Sequence, residues 1–158
     1  MSKYRPLTIA ELQSLEHEFI EFLVINGITA NDWVAIKKND PERASQMTII
    51  FSDVVFEEIL RKNQYLIFVA ASQVHCFQFL KESVQLIGLE SKNADFDLSQ
   101  LILDPITLEN CQIYFTEKSY QHSRELEMFQ LVSKGGEMSD GALFKKLALL
   151  YAASLSRK

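Results

Sequence analysis

One stretch, Tyr65 to Glu90, limits most strongly what this chain can become. It reads YLIFVA, ASQV, HCFQFL, KES and VQLIGLE in succession, short apolar runs closed by polar breaks. Lys81-Glu82-Ser83 stands between two β-prone segments, where a hairpin turn belongs. A sheet this small cannot cover its own apolar face, so helices must pack on it. The sequence supplies helical patterns on both sides of the stretch.

Upstream, Tyr4-Arg5-Pro6-Leu7 is an extended lead-in, because Pro6 disfavours the helical region for Arg5. Thr8 with Glu11 reads as a capping box. It opens a helix in which Leu12, Leu15, Phe19, Phe22 and Leu23 recur at helical spacing, with Glu11, Glu16, Glu18 and Glu21 on the remaining surface. Gly27 ends that helix. Thr29 with Asp32 repeats the capping pattern and starts a short helix through Trp33, Val34 and Ile36. Asp40-Pro41 is a third start signal, an N-cap followed by proline at the first helical position. The third helix runs to about Lys62, with Ala44, Met47, Phe51, Val54 and Val55 as its buried stripe.

Downstream, Ser91 to Gln100 is polar and reads as loop, and the apolar run Leu101–Leu108 is interrupted by Pro105. Cys111 to Thr116, CQIYFT, reads as a strand on the edge of the hairpin sheet. Glu125 to Lys134 spaces Leu126, Phe129 and Val132 as a helix, and Gly135-Gly136 stops it. Ser139-Asp140-Gly141 starts a last helix with Leu143, Leu147, Leu150 and Tyr151 on one stripe. The expectation is one α+β domain over residues 1–158. Its small, mainly antiparallel sheet has three to four strands, centred on residues 65–90 and 111–116, flanked by N-terminal and C-terminal helices.

At 47% hydrophobic and 23% charged, the 158 residues match an ordinary globular chain, which needs no metal or disulfide to fold. Sixteen Lys and Arg against 21 Asp and Glu give a net charge of −5 without any basic block, which argues against nucleic acid as a partner. The start MSKYRPLTIAELQ lacks the apolar core of a signal peptide. No apolar run approaches the ~18 residues of a membrane span. The expectation is a cytoplasmic protein without a membrane segment. Cys76 and Cys111 lie in apolar surroundings and read as buried free thiols; a disulfide stays open, because their separation in space is not readable from sequence.

Several of these signals also carry a resemblance. The lead-in Tyr4-Arg5-Pro6-Leu7-Thr8, the junction Gly27-Ile28-Thr29-Ala30-Asn31-Asp32-Trp33 and Phe51-Ser52-Asp53-Val54 resemble an uncharacterised bacterial family of about this length. The tail Gly135-Gly136-Glu137-Met138-Ser139-Asp140-Gly141 is similar to that family as well. The family is catalogued only as a domain of unknown function. These motifs are caps and turns, so the resemblance implies a fold and brings no catalytic residues.

The chemistry-bearing side chains are sparse. His17, His75 and His122 fall one in each third of the chain. His17 and Glu21 share a helix face, but neither HExxH nor paired ExxH motifs occur, so no metal and no cofactor is expected. His75 and Cys76 are adjacent, and adjacent side chains diverge in a strand. Gly136 and Gly141 have phosphate-loop spacing, but Ala142-Leu143 stand where Lys-Ser/Thr belongs, so that segment reads as a helix start. The enzymatic candidates are the carboxylates Asp53 and Glu57, one helical turn apart, whose split pKa values would suit acid–base work with a histidine. The alternative is that both are solvated or capping. Trp33 reads as the anchor of a helix corner, or as a partner contact if exposed. On the last helix Phe144, Ala148, Ala152 and Leu155 widen the apolar arc, and Gly135-Gly136 would let the helix leave its own subunit. Phe144 and Leu155 are therefore candidate partner-binding residues for a two-fold homodimer. The favoured reading is a non-enzymatic interaction or accessory protein; the alternative is an enzyme built on Asp53 and Glu57.

Overall fold

The computed structural model describes residues 2–92, 97–99 and 109–156. The expected loop at 91–100 falls partly, and the Pro105 segment wholly, outside the described residues. Contacts divide the chain into two units, Met1–Ile59 and Leu60–Lys158.

The first unit is helical. Its elements are α1 (Ile9–Ser14), α2 (Glu16–Ile25), α3 (Ala30–Asn39) and the greater part of α4 (Pro41–Lys62). Both capping boxes form: Thr8 and Glu11 exchange side-chain and backbone bonds, and so do Thr29 and Asp32. Asp40 Oδ1 accepts from the Arg43 N–H at 3.2 Å, the N-cap expected ahead of Pro41. Gly27 has φ 76°, the left-handed conformation that ends α2.

Two details differ from the sequence reading. The first helix breaks at Leu15, whose φ −109° and ψ 23° leave the helical region. The Ser14 hydroxyl donates to the Glu11 carbonyl at 2.8 Å, the kind of local bond with which serine competes against helix continuation. On α4, Phe51 is buried as expected, but Val54 is 49% exposed. At about 100° per residue, Val54 lies roughly 160° from Ser52 around the helix. Ser52 is fully buried, and Val55 and Phe56 are half-buried, so the inward face is centred on the Ser52 side. An apolar-only reading of the stripe missed the buried serine. Within this unit Phe51 is ringed by Phe19 at 4.9 Å and Phe22 at 5.4 Å.

Among its described residues, the second unit is a sheet with two helices. The strands are β1 (Tyr65–Val69), β2 (Gln73–Phe79), β3 (Ser83–Ser91), β4 (Cys111–Ser119) and β5 (Glu137–Ser139). The helices are α5 (Arg124–Ser133) and α6 (Ala142–Ser156). The five strands are antiparallel in the order β4-β3-β2-β1-β5. The hairpin turn at 80–82 and the edge position of Cys111–Thr116 are as expected. β5 was not: Glu137–Ser139 pairs with β1, Leu66 opposite Met138. The chain is α+β, with a mainly β half whose sheet is wholly antiparallel.

Alternation gives the sheet two faces. Val74, Cys76, Ile87, Leu89 and Cys111 point to one, where they form a buried cluster with Leu98 and with Phe144 and Leu147 of α6. On the other, Leu66 and Phe79 are buried to 0% and 1% exposure, so both faces are covered here. In α5 the buried residue is Met128, at 0% exposure, while Leu126, Phe129 and Val132 are half-buried. Arg124 is the knot at the lower end of this unit: its guanidinium donates to the carbonyls of Leu60, Asn63 and Phe79 at 3.0, 2.6 and 3.2 Å. The Tyr120 hydroxyl closes the β2–β3 turn by bonding the Leu80 and Ser83 carbonyls at 2.7 and 2.8 Å.

The cysteines are free and buried. The register puts Cys76 opposite Ile87 and Cys111 opposite Ser91, on strands either side of β3. Two strand spacings and four residues of offset separate them by roughly 16 Å. A disulfide requires Cα atoms within about 7 Å, so none can form without unfolding the sheet.

Candidate functional site

Asp53 and Glu57, the acid–base candidates, sit half-buried one turn apart on α4 and both reach the lead-in. Asp53 accepts two successive backbone N–H groups, from Lys3 at 2.8 Å and from Tyr4 at 3.1 Å. Glu57 Oε2 takes the Lys3 ammonium at 3.1 Å and the Tyr4 hydroxyl. Ser52 continues the row: its hydroxyl accepts from the Leu7 N–H at 3.0 Å and donates to the Thr48 carbonyl at 2.8 Å. Arg5 lies 4.7 Å above the Phe56 ring and forks onto Glu11 at 2.8 and 3.0 Å. That fork, helped by the Thr8 N–H, holds the Glu11 carboxyl well below the usual range, at about 2. Residues 3–7 thus form a strap along α4, bent at Lys3 and Tyr4, and the two carboxylates receive that bend. His17 does not join them: its Nε2 is 3.0 Å from Glu21, and both side chains are exposed.

The second polar constellation lies on the sheet face away from α6. His75 Nε2 and the Tyr114 hydroxyl are 3.0 Å apart. The Tyr114 ring crosses over Gly88, where a Cβ would come within 2.3 Å of ring carbon Cζ. Burial pushes the His75 pKa down, against the opposing field of Glu90, and burial together with Glu90 pushes Tyr114 up. The imidazole is therefore held neutral at pH 7, bonded to the phenol. Cys76, next in the chain, points to the opposite face, and burial pushes its thiol up to about 12. The two cannot act as a nucleophile and its base. The backbone N–H of His122 donates to Glu127 at 3.1 Å. Among the described residues, no group of three or more His, Cys, Asp or Glu side chains is placed to hold a metal ion.

The third place is the flank of α6. An open depression of about 750 Å³ is lined by Ser139 and Asp140 at the end of β5 and by Leu143, Lys146, Leu149 and Leu150 of the helix. Leu149 is 72% exposed and Leu155, in the last turn, 51%. Phe144, expected on the partner-facing arc, is instead buried at 6% exposure, its ring 5.7 Å from that of Tyr65. The expectation that Gly135-Gly136 would let the helix leave the subunit is also corrected, because β5 ties the following residues to β1. Trp33, in the first unit, is half-buried edge-on to Phe19 at 5.2 Å, with the Lys37 ammonium 5.9 Å from its ring. It anchors the α2–α3 corner.

Sequence reasoning found Asp53 and Glu57 but not the strap they hold, because the hydrogen-bonded partners are about fifty residues away. It missed the His75–Tyr114 pair for the same reason; the one available signal was Gly88 inside a strand pattern, a mark of close approach. Among the described residues no single helix is long and apolar enough to cross a membrane. No curated protein and no solved structure matches the chain. A family model does match, over residues 1–152, and that span takes in the strap, the capping boxes, the whole sheet and most of α6. The chain belongs to that family, described as a family of unknown function, DUF6495.

Proposed function

We propose that the protein is a non-enzymatic interaction or accessory protein of the bacterial cytoplasm. In this reading it docks through the outward flank of α6, with a second copy of itself as the simplest partner. The observation that carries the reading is Leu149, 72% exposed at the rim of an apolar depression shared with Leu143 and Leu150. Single exposed leucines are ordinary on a protein surface; one beside an open apolar depression offers a partner both a knob and a hole. Ala142, Ala152 and Ala153 are exposed on the same helix and let a second backbone approach closely. The acid–base candidates support the reading from the other side, since Asp53 and Glu57 receive backbone and side-chain donors from the strap.

One helix flank makes a small interface, at the low end of the roughly 1,200–2,000 Å² of specific complexes. The expected dimer is accordingly weak, with a dissociation constant in the micromolar range. Sedimentation equilibrium on the wild type and on a Leu149→Glu, Leu155→Glu variant tests it. A dimeric wild type and a folded monomeric variant support the reading. A wild type that stays monomeric at high micromolar concentration overturns it, and a variant that stays dimeric removes α6 from the interface.

A further inference from the structure

The strap on α4 shows in atomic detail what kind of segment that surface accepts. Asp53 takes two successive N–H groups where the strap bends at Lys3 and Tyr4. Glu57 takes a cation and a phenol, the Phe56 ring takes a guanidinium, and Ser52 takes the N–H of an apolar residue, Leu7, which is buried at 8% exposure. These are elements of peptide recognition: main-chain bonds for affinity, and side-chain contacts for specificity. We infer that this face of α4 is a cradle for a basic, aromatic peptide, and that residues 3–7 occupy it as an autoinhibitory ligand supplied in cis.

The occupant follows from charge and shape. Two carboxylates one turn apart beside an aromatic ring complement a Lys-Tyr-Arg segment ending in an apolar residue, and the strap is such a segment. Its hold is graded along its length. Leu7 is buried, but the Lys3 contacts are exposed, with the ammonium side chain 47% accessible. Exposed ion pairs of this kind contribute little, so the first residues of the strap open at low cost while the helix beneath stays folded. With Leu7 anchored at Ser52, Lys3 and Tyr4 are held a few residues from that anchor and act at an effective concentration on the order of millimolar. A partner peptide of the same chemistry therefore competes poorly with the intact strap and well with a weakened one. Such a site is built from residues of the first unit alone and does not depend on self-association.

The probe is a fluorescein-labelled peptide of sequence Ser-Lys-Tyr-Arg-Pro-Leu-Thr, followed by anisotropy against the full chain. The expected result is at least about tenfold tighter binding to a Lys3→Glu, Tyr4→Ser variant than to the wild type. Adding Asp53→Asn and Glu57→Gln to that variant should abolish the gain. Equal binding to the wild type and to the strap variant, with circular dichroism showing both folded, overturns the inference. If the strap variant does not fold, the wild type decides: millimolar unlabelled peptide should shift the amide resonances of Lys3, Tyr4 and Asp53. An unchanged spectrum overturns the inference as well.

Discussion

Phe51 is the residue whose loss the first unit should feel most. It is 3% exposed and meets Phe19 and Phe22 ring to ring. Truncating a buried phenylalanine removes its transfer free energy and leaves a cavity, so Phe51→Ala should cost about 3–5 kcal/mol in a urea melt. A cost within about 0.5 kcal/mol, the range of ordinary surface substitutions, would show the core assignment to be wrong. Val54, three residues on, belongs to that surface class. Gly88 is the opposite case, a residue defined by what it lacks. Its backbone is not in the left-handed region, so alanine is tolerated by φ; the obstacle is the Tyr114 ring, 2.3 Å from the added carbon. Gly88→Ala should cost about 1–3 kcal/mol by overpacking. In a Tyr114→Ala background most of that cost should vanish in chemical denaturation. An undiminished cost there would separate the glycine from the tyrosine.

Among the elements, α1 is the one whose stability depends on pH in a readable way. It is six residues long with no buried residue, so it rests on its cap. Glu11 serves that cap and also receives the Arg5 fork. Its carboxyl falls from an ordinary 4.5 to about 2 in the folded chain. A depressed carboxylate contributes stability that is full above its unfolded pKa and lost as pH falls through the folded one. The stability difference between wild type and Glu11→Gln should therefore be constant above about pH 4.5 and gone by about pH 2. The pair is more than a third exposed, so water screens it and the difference should be small. An NMR titration checks the origin directly: Arg5→Ala should return the Glu11 midpoint most of the way to its ordinary value. A midpoint unmoved by that change would put the cause elsewhere.

For the whole molecule, the expectation is that packing and backbone bonds suffice for folding. The two cysteines are held too far apart by the register to be bridged, and Cys76 and Cys111 lie in one apolar cluster with α6. Dialysis against EDTA should leave the melting temperature unchanged. A large fall, restored by zinc or iron, would mean that a metal supplies folding free energy.

What the sequence determined by itself is local. Thr8 with Glu11, Thr29 with Asp32, Asp40 with Pro41 and Gly27 mark helix ends, because capping bonds join residues no more than four apart. The β2–β3 hairpin was legible for the same reason, its turn lying between two apolar runs. Longer contacts were not. β5 is three residues with no β pattern of its own and exists because β1 offers it an edge. Leu15 looked helical by spacing and breaks the helix through bonding of its neighbour. Phe144 and Leu149 are both apolar residues of one helix, and only packing sends the first into the core and leaves the second in water. Asp53 and Glu57 stood out as a pair, yet their role came from Lys3 and Tyr4, about fifty positions earlier. A sequence pattern encodes which face of an element is apolar; which partner that face meets is set by the summed packing of the chain, and tertiary structure alone decides it.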